Sequence, residues 1–120
     1  MIRRADILTA LDAVLAERRG ADPASSYVAN LYDRGLNRIL EKIGEEATEV
    51  VIAGKDNADG SASRELVGEV ADLWFHTLVL LAAQDLSSAD VLARLEERFG
   101  LSGHAEKAAR KDQASTSVPD

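Results

Sequence analysis

The sequence predicts an all-α fold, a compact helix bundle built around two long antiparallel helices. Three observations predict it: proline occurs only twice and aromatic residues make up 4% of the chain, apolar residues recur with helical period, and turn-forming residues cluster between the periodic segments. At 120 residues the chain has the size of one domain. We expect this domain to span residues 1–103 and residues 104–120 to form a polar, mobile tail.

Two helical segments are predicted in the first third of the chain. Residues 2–19 carry apolar side chains at helical spacing, and Gly20 followed by Pro23 favours a stop after them. Residues 25–32 can form a short turn of helix, with Ser25 or Ser26 as its N-cap.

The two long helices follow. Residues 36–53 place their apolar side chains on one face, and Gly54 is positioned to end that helix. Residues 55–62 have turn composition, and a serine at 61 or 63 could cap a second long helix over 63–83. This helix is apolar nearly all round, which we expect only if it is buried on several sides, within the subunit or against another one. A shorter helix, capped by Ser87 or Ser88, is predicted to end at Arg98.

Composition excludes several classes of partner. The formal charge of −7 repels nucleic acid and anionic membranes, so we expect neither as a partner. The longest uncharged segment, residues 73–84, is shorter than the ~20 residues that cross a bilayer, and we expect a cytoplasmic protein. Because cysteine is absent, any metal must be held by oxygen or histidine, which favours a hard cation.

Polar side chains form one stripe on the second long helix. Glu65, Glu69, Asp72 and His76 lie within about 60° of one another at about 100° per residue. A buried carboxylate needs a partner or becomes neutral, so aligned carboxylates require a cation nearby. We therefore expect a function for Glu69 and Asp72, whereas His76 is expected to be a core or interface histidine, not a catalytic one.

The first long helix offers a second acidic pair. Glu46 and Glu49 occupy one flank of its apolar face together with Arg38 and Lys42, while Glu45 points nearly opposite to the core. If the helices pack antiparallel, this pair can face the acidic stripe, and four carboxylates then share one cleft. Mg²⁺ or Mn²⁺ would make their repulsion tolerable and keep positions open for water and phosphate oxygens.

Such a site suits hydrolysis of a nucleotide's phosphate chain. The metal would neutralise phosphate oxygens and lower the pKa of a bound water, and a carboxylate would take the proton. Lys42 and Arg38 can bind the remaining phosphate charge or be ordinary surface charges, and Tyr27 can stack on a base or pack the short turn. A solvated face with ion pairs is the alternative for the acidic residues of the first long helix, Glu45, Glu46 and Glu49.

The acidic segments resemble those of a known superfamily. Glu45-Glu46-Ala47-Thr48-Glu49, followed by Glu69-Val70-Ala71-Asp72, resembles the E-E-x-x-E and E-x-x-D pair of the all-α NTP pyrophosphohydrolases. Longer matches over Ser26-Tyr27, residues 42–53, Glu65-Leu66-Val67 and His76 are similar to the phosphoribosyl-ATP pyrophosphatase family within it.

This resemblance implies a substrate, an assembly and a set of site residues. It implies Mg²⁺-dependent hydrolysis of phosphoribosyl-ATP to phosphoribosyl-AMP and pyrophosphate, the second step of histidine biosynthesis, by a homodimer whose bundle forms partly across the interface. Many relatives also carry the cyclohydrolase of the next step, and we expect phosphoribosyl-AMP cyclohydrolase to be a separate protein here. By the motif match, the metal ligands are Glu46, Glu49, Glu69 and Asp72, and the candidates for catalysis are Glu46 and Glu49, with Glu45 as a secondary candidate.

Two rival functions fit the same residues. One keeps the chemistry and changes the substrate to an ordinary or damaged nucleoside triphosphate. The other is a dimeric helical interaction module whose acidic stripe binds metal only for structure. In that case, replacing Glu69 or Asp72 by Ala would lower the melting temperature with no activity to lose.

Overall fold

The computed structural model describes residues 1–100, and all regular structure within them is helical. The all-α prediction is therefore confirmed. The predicted domain end at residue 103 and the predicted mobile tail, residues 104–120, lie outside the described residues. After a 3-10 turn at Arg4–Asp6 come helices α1, Ile7–Glu17, α2, Tyr27–Arg34, α3, Leu36–Asp56, α4, Ser63–Ala83, and α5, Ser88–Phe99. Helices α1 to α4 belong to one compact unit, residues 1–87, and α5 belongs to a second.

Helix α2 is bounded by local chemistry at both ends. Of the two predicted N-cap candidates, Ser25 and Ser26, the structure selects Ser26: the Ser26 hydroxyl accepts a hydrogen bond from the Ala29 N–H at 3.0 Å. At the other end Gly35 has a φ of 94°, a left-handed conformation that glycine adopts without steric cost. Because this sharp change of direction takes one residue, α3 begins immediately afterwards.

The predicted end of α3 at Gly54 is wrong. The helix continues to Asp56, and a Cβ on Gly54 would lie 4.0 Å from Leu66 Cδ1. Gly54 therefore lies on the face of α3 that packs against α4. A glycine inside a helix costs only about 1 kcal/mol relative to alanine, which the neighbouring turns of a 21-residue helix can offset.

The reversal between α3 and α4 is organised by Asn57. The Asn57 side-chain oxygen accepts a hydrogen bond from the Ala62 N–H at 2.7 Å. Ala62 is the N-cap residue of α4, and it makes no side-chain cap hydrogen bond, so the predicted capping by Ser61 or Ser63 is wrong. The amide side chain of Asn57, the residue that follows α3, satisfies the backbone N–H of Ala62 instead.

Helices α3 and α4 pack along each other as an antiparallel hairpin, as predicted. Gly54 lies beside Leu66, and Glu46 and Glu49 lie beside Glu69. A later residue of α4 thus faces an earlier residue of α3, which is the pairing that antiparallel helices give. This register fixes which side chains of the two helices can meet.

The hydrophobic core lies toward the C-terminal end of α4. Its largest fully buried side chains are one each from α1 to α4, namely Leu15, Leu31, Ile39 and Val79. Burying a side chain of this size contributes about 1.5–3 kcal/mol relative to leaving it exposed. By length and composition alone, α4 is also apolar enough to cross a membrane. Its C-terminal half, however, contributes Leu78, Val79 and Ala82 to the core of this unit.

The half of the hairpin nearest the turn is different. Here α4 is not buried on several sides within its own unit, because Val67 is 67% exposed, and Trp74 at the middle of α4 is 59% exposed. Val51 and Ile52 on the facing half of α3 are exposed as well. The core thus lies at one end of the hairpin, while apolar side chains are uncovered at the turn end and also at the start of α3, where Leu36 and Leu40 are each 45% exposed.

Candidate metal site

Three carboxylates from the two long helices converge between the core and the turn. Carboxylate oxygens of Glu46 and Glu49 on α3 and Glu69 on α4 all lie within 4.8 Å of one another. Glu46 is buried, with 7% of its surface exposed, Glu69 is half-buried and Glu49 is exposed. We call these three residues the acidic cluster. It exists because positions 46 and 49 share one face of α3, and the antiparallel register brings that face to Glu69.

Two oxygens of the acidic cluster have no hydrogen-bond partner among the described residues. They are Glu46 Oε2 and Glu69 Oε2, and both are buried. A buried polar atom without a partner is costly, and two such atoms on adjacent carboxylates also repel each other. Oxygen donors in this arrangement match the ligand preference of a hard divalent cation. The acidic cluster therefore fits a metal ion.

Asp72, the fourth predicted ligand, does not belong to the acidic cluster. Asp72 is exposed and lies about one turn of α4 beyond Glu69. Its carboxylate is not among the three that lie within 4.8 Å of one another. The backbone carbonyl oxygen of Asp72 pairs with His76 Nδ1 at 2.7 Å. The structure thus brings together three of the four predicted ligands.

The two predicted phosphate-binding cations lie beside the acidic cluster. Lys42 Nζ is 3.3 Å from Glu46 Oε1 and 3.2 Å from Glu45 Oε2. Arg38 Nη1 is 3.3 Å from Glu41 and 3.6 Å from Glu45. Glu45 therefore faces the two cations and not the other carboxylates, which places this secondary candidate away from the acidic cluster.

The electrostatic state of Lys42 follows from these contacts. Burial by itself would lower the pKa of Lys42, but hydrogen bonds to Glu45 and Glu46, with Tyr27 nearby, raise the pKa above its ordinary value. The ammonium therefore stays charged at neutral pH. It balances one oxygen of Glu46 and leaves the second without a partner.

Tyr27 lies at the start of α2 with about half of its surface exposed. Its hydroxyl is 2.8 Å from His76 Nε2, although 49 residues separate the two in sequence. His76 is 6% exposed, as expected for a core histidine.

Comparison with known proteins places the chain in a family. The family model for phosphoribosyl-ATP pyrophosphohydrolase matches residues 8–99. The chain belongs to the phosphoribosyl-ATP pyrophosphohydrolase family. A phosphoribosyl-ATP pyrophosphatase of Burkholderia vietnamiensis is 59% identical over 106 residues, which cover 88% of each chain. One from Hydrogenovibrio crunogenus is 57% identical over 105 residues, covering 88% of this chain and 93% of that one.

In this member of the phosphoribosyl-ATP pyrophosphohydrolase family, the matched region includes the acidic cluster, both cations and the Tyr27–His76 pair. A cleft of about 260 Å³ also borders the acidic cluster on the side of the turn, and Asp56 and Glu65 line it with Glu49 and Glu69. Sequence reasoning missed Asp56. Its spacing of seven residues from Glu49 places it on the same face of α3, and that signal was available.

Proposed function

We propose that this chain hydrolyses phosphoribosyl-ATP to phosphoribosyl-AMP and pyrophosphate, the second step of histidine biosynthesis. The observation that carries the proposal is the acidic cluster, three carboxylates within 4.8 Å in a chain 59% identical to a protein named for this reaction. Such a cluster suits phosphate hydrolysis because it can hold a divalent cation, and that cation balances the substrate's negative charge where the new bond forms.

We propose Mg²⁺ as the bound ion, with Mn²⁺ as an alternative. Glu46, Glu49 and Glu69 would hold it, and Asp72 would join them by the motif match. When bound, a divalent ion supplies charge neutralisation of phosphate oxygens and a more acidic water. The two buried oxygens that lack a partner in the described part of the chain support this assignment.

The side chains of this chain would then divide the remaining tasks. Lys42 and Arg38 lie one and two turns before Glu46 on α3, so a phosphate chain that reaches the acidic cluster meets both cations. Lys42 would contribute a point charge and Arg38 a planar fork of donors. A carboxylate of the cluster, Glu46 or Glu49, would accept the proton of the attacking water. Glu45 would hold the two cations in place through its ion pairs.

We further propose that the protein acts as a homodimer in the cytoplasm and that a separate phosphoribosyl-AMP cyclohydrolase takes its product. The exposed apolar side chains of the hairpin, Val51, Ile52 and Val67 near the turn and Trp74 at the middle of α4, support the dimer. An uncovered apolar patch of this kind is typical of an interaction surface.

The test is pyrophosphate release by the purified protein from phosphoribosyl-ATP and, separately, from the four common nucleoside triphosphates. We expect rapid release from phosphoribosyl-ATP with Mg²⁺, and none after chelation of the metal. Equal or faster release from the common triphosphates would identify a nucleotide-cleansing enzyme instead. No release from any of them would overturn the hydrolase proposal.

A further inference from the structure

The buried histidine of α4 is fully engaged. His76 Nδ1 lies 2.7 Å from the backbone oxygen of Asp72, and His76 Nε2 lies 2.8 Å from the Tyr27 hydroxyl. A carbonyl oxygen can only accept a hydrogen bond, so Nδ1–H is the donor. In the neutral ring Nε2 is then the acceptor, and the Tyr27 O–H donates to it.

The ring of His76 is also held from two sides. Its centroid is 5.7 Å from that of Tyr27 at 83° and 5.3 Å from that of Phe75 at 85°, both edge-to-face contacts. With both nitrogens bonded and 6% of its surface exposed, His76 has one orientation available. His76 is therefore a fixed side chain of α4, and its hydrogen bond with Tyr27 links α2 to α4.

Tyr27, by contrast, is fixed at its hydroxyl and open elsewhere. About half of its surface is exposed, although its O–H is bonded to a buried group. Tyr27 is also close enough to Lys42 to contribute to the raised pKa of that ammonium. The Tyr27 hydroxyl is thus within electrostatic reach of the ammonium that contacts Glu46. An aromatic ring that is anchored at its hydroxyl and otherwise exposed can stack on a purine or ribose at little entropic cost.

We infer that His76 is a positioning residue that acts through Tyr27, holding the tyrosine ring as a stacking surface for the nucleoside part of the substrate. This inference rests on the proposed function for its substrate. His76 does not touch the reacting atoms. Its effect is on substrate binding, because an unanchored Tyr27 would have to be ordered when the substrate binds.

The kinetic test combines single and double variants. Tyr27→Phe and His76→Phe are each expected to raise KM for phosphoribosyl-ATP about three- to tenfold, the loss of one hydrogen bond, with kcat nearly unchanged. The double variant should be no worse than either single one, since both remove the same contact. His76→Gln keeps an acceptor near the Nε2 position and should restore KM, whereas His76→Asn is too short and should not.

A matched control comes from Tyr32, which lies on α2 like Tyr27. The Tyr32 hydroxyl donates to the Leu15 carbonyl oxygen at 2.8 Å, so Tyr32→Phe removes an equivalent hydrogen bond away from the acidic cluster. It should lower the melting temperature and leave KM unchanged. If His76→Phe lowers the melting temperature and likewise leaves KM unchanged, or if the two single effects multiply in the double variant, the inference is overturned.

A second measurement separates this inference from the proposed function. The chain contains two tyrosines, so protein labelled with ¹³C-tyrosine gives ring signals from Tyr27 and Tyr32 alone. His76→Phe should shift or broaden the Tyr27 signals and spare those of Tyr32. If the wild type releases no pyrophosphate, the proposed function fails, but this spectrum still shows whether His76 holds the ring of Tyr27 in place. Tyr27 signals that stay unchanged in His76→Phe would overturn the inference, whether or not the protein releases pyrophosphate.

Discussion

Glu69 is the carboxylate that α4 contributes to the acidic cluster. It is half-buried on α4, its Oε2 has no hydrogen-bond partner among residues 1–100, and it faces two carboxylates of α3. Lys42 balances part of the charge, but its contact is with Glu46 and not with Glu69. Without metal, Glu69 is therefore a source of like-charge repulsion, and with metal it becomes a ligand.

We expect Glu69→Gln to separate stability from activity. Pyrophosphate release should fall by at least the 10- to 100-fold that weaker changes around metal sites cost. The melting temperature without metal should be unchanged or higher, because the substitution relieves repulsion. The rise in melting temperature on adding Mg²⁺ or Mn²⁺ should be much smaller than in the wild type, because binding to the folded state stabilises it. Thermal melts with and without metal, alongside the activity assay, check all three.

The control is Glu17→Gln, the same chemical change at an exposed position on α1. It should alter neither the activity nor the response to metal. Parallel losses of stability and activity in Glu69→Gln would instead favour a purely structural metal site.

At the scale of elements, short helix α2 connects the core to the acidic cluster. Leu31 is buried in the core, while Tyr27, one turn earlier, reaches His76. An eight-residue helix is too short to be stable alone, so its cap and its tertiary contacts must hold it. The capping hydrogen bond of Ser26 is therefore important for where Tyr27 lies.

We expect Ser26→Ala to lower the free energy of unfolding by about 1 kcal/mol, the usual cost of losing an N-cap. Ser26→Gly should cost only a few tenths of a kcal/mol, because glycine is tolerated at this position. Urea unfolding of both variants provides the measurement. If glycine is as damaging as alanine, the hydroxyl of Ser26 stabilises the protein by something other than capping.

At the scale of the whole molecule, the uncovered apolar side chains are the dominant surface feature. Three of them, Val51, Ile52 and Val67, lie where α3 and α4 approach their connecting turn, and the formal charge of −7 opposes self-association through repulsion between the copies. Burying such side chains against a second copy would remove them from water and supply much of the free energy of dimerisation. The dimer is proposed because the chain itself leaves these apolar side chains of the hairpin exposed to water.

We expect wild-type protein to sediment at twice the 12.9 kDa mass of the chain. Val67→Lys should shift the species toward 12.9 kDa, because it places a charge in the apolar surface of the dimer. Ile2→Lys, at an exposed apolar residue outside the helices, is the control and should leave the mass unchanged. Sedimentation equilibrium measures each. A monomeric wild type would contradict the proposed interface.

The sequence by itself determined the features that depend on local periodicity. Helical spacing predicted the two long helices and the shared face of Glu46 and Glu49, and capping preference narrowed the N-cap of α2 to Ser25 or Ser26, since each depends on residues within about one turn. The match of the acidic segments also identified the family correctly.

Only the tertiary structure decided which side chains meet. It extended α3 past Gly54, brought Glu69 but not Asp72 to Glu46, and joined Tyr27 to His76. Periodicity gives a residue's angle on its own helix, but contact between helices depends on how each is rotated and shifted against its neighbour. That geometry is set by the packing of the whole core, to which residues far apart in the chain contribute together.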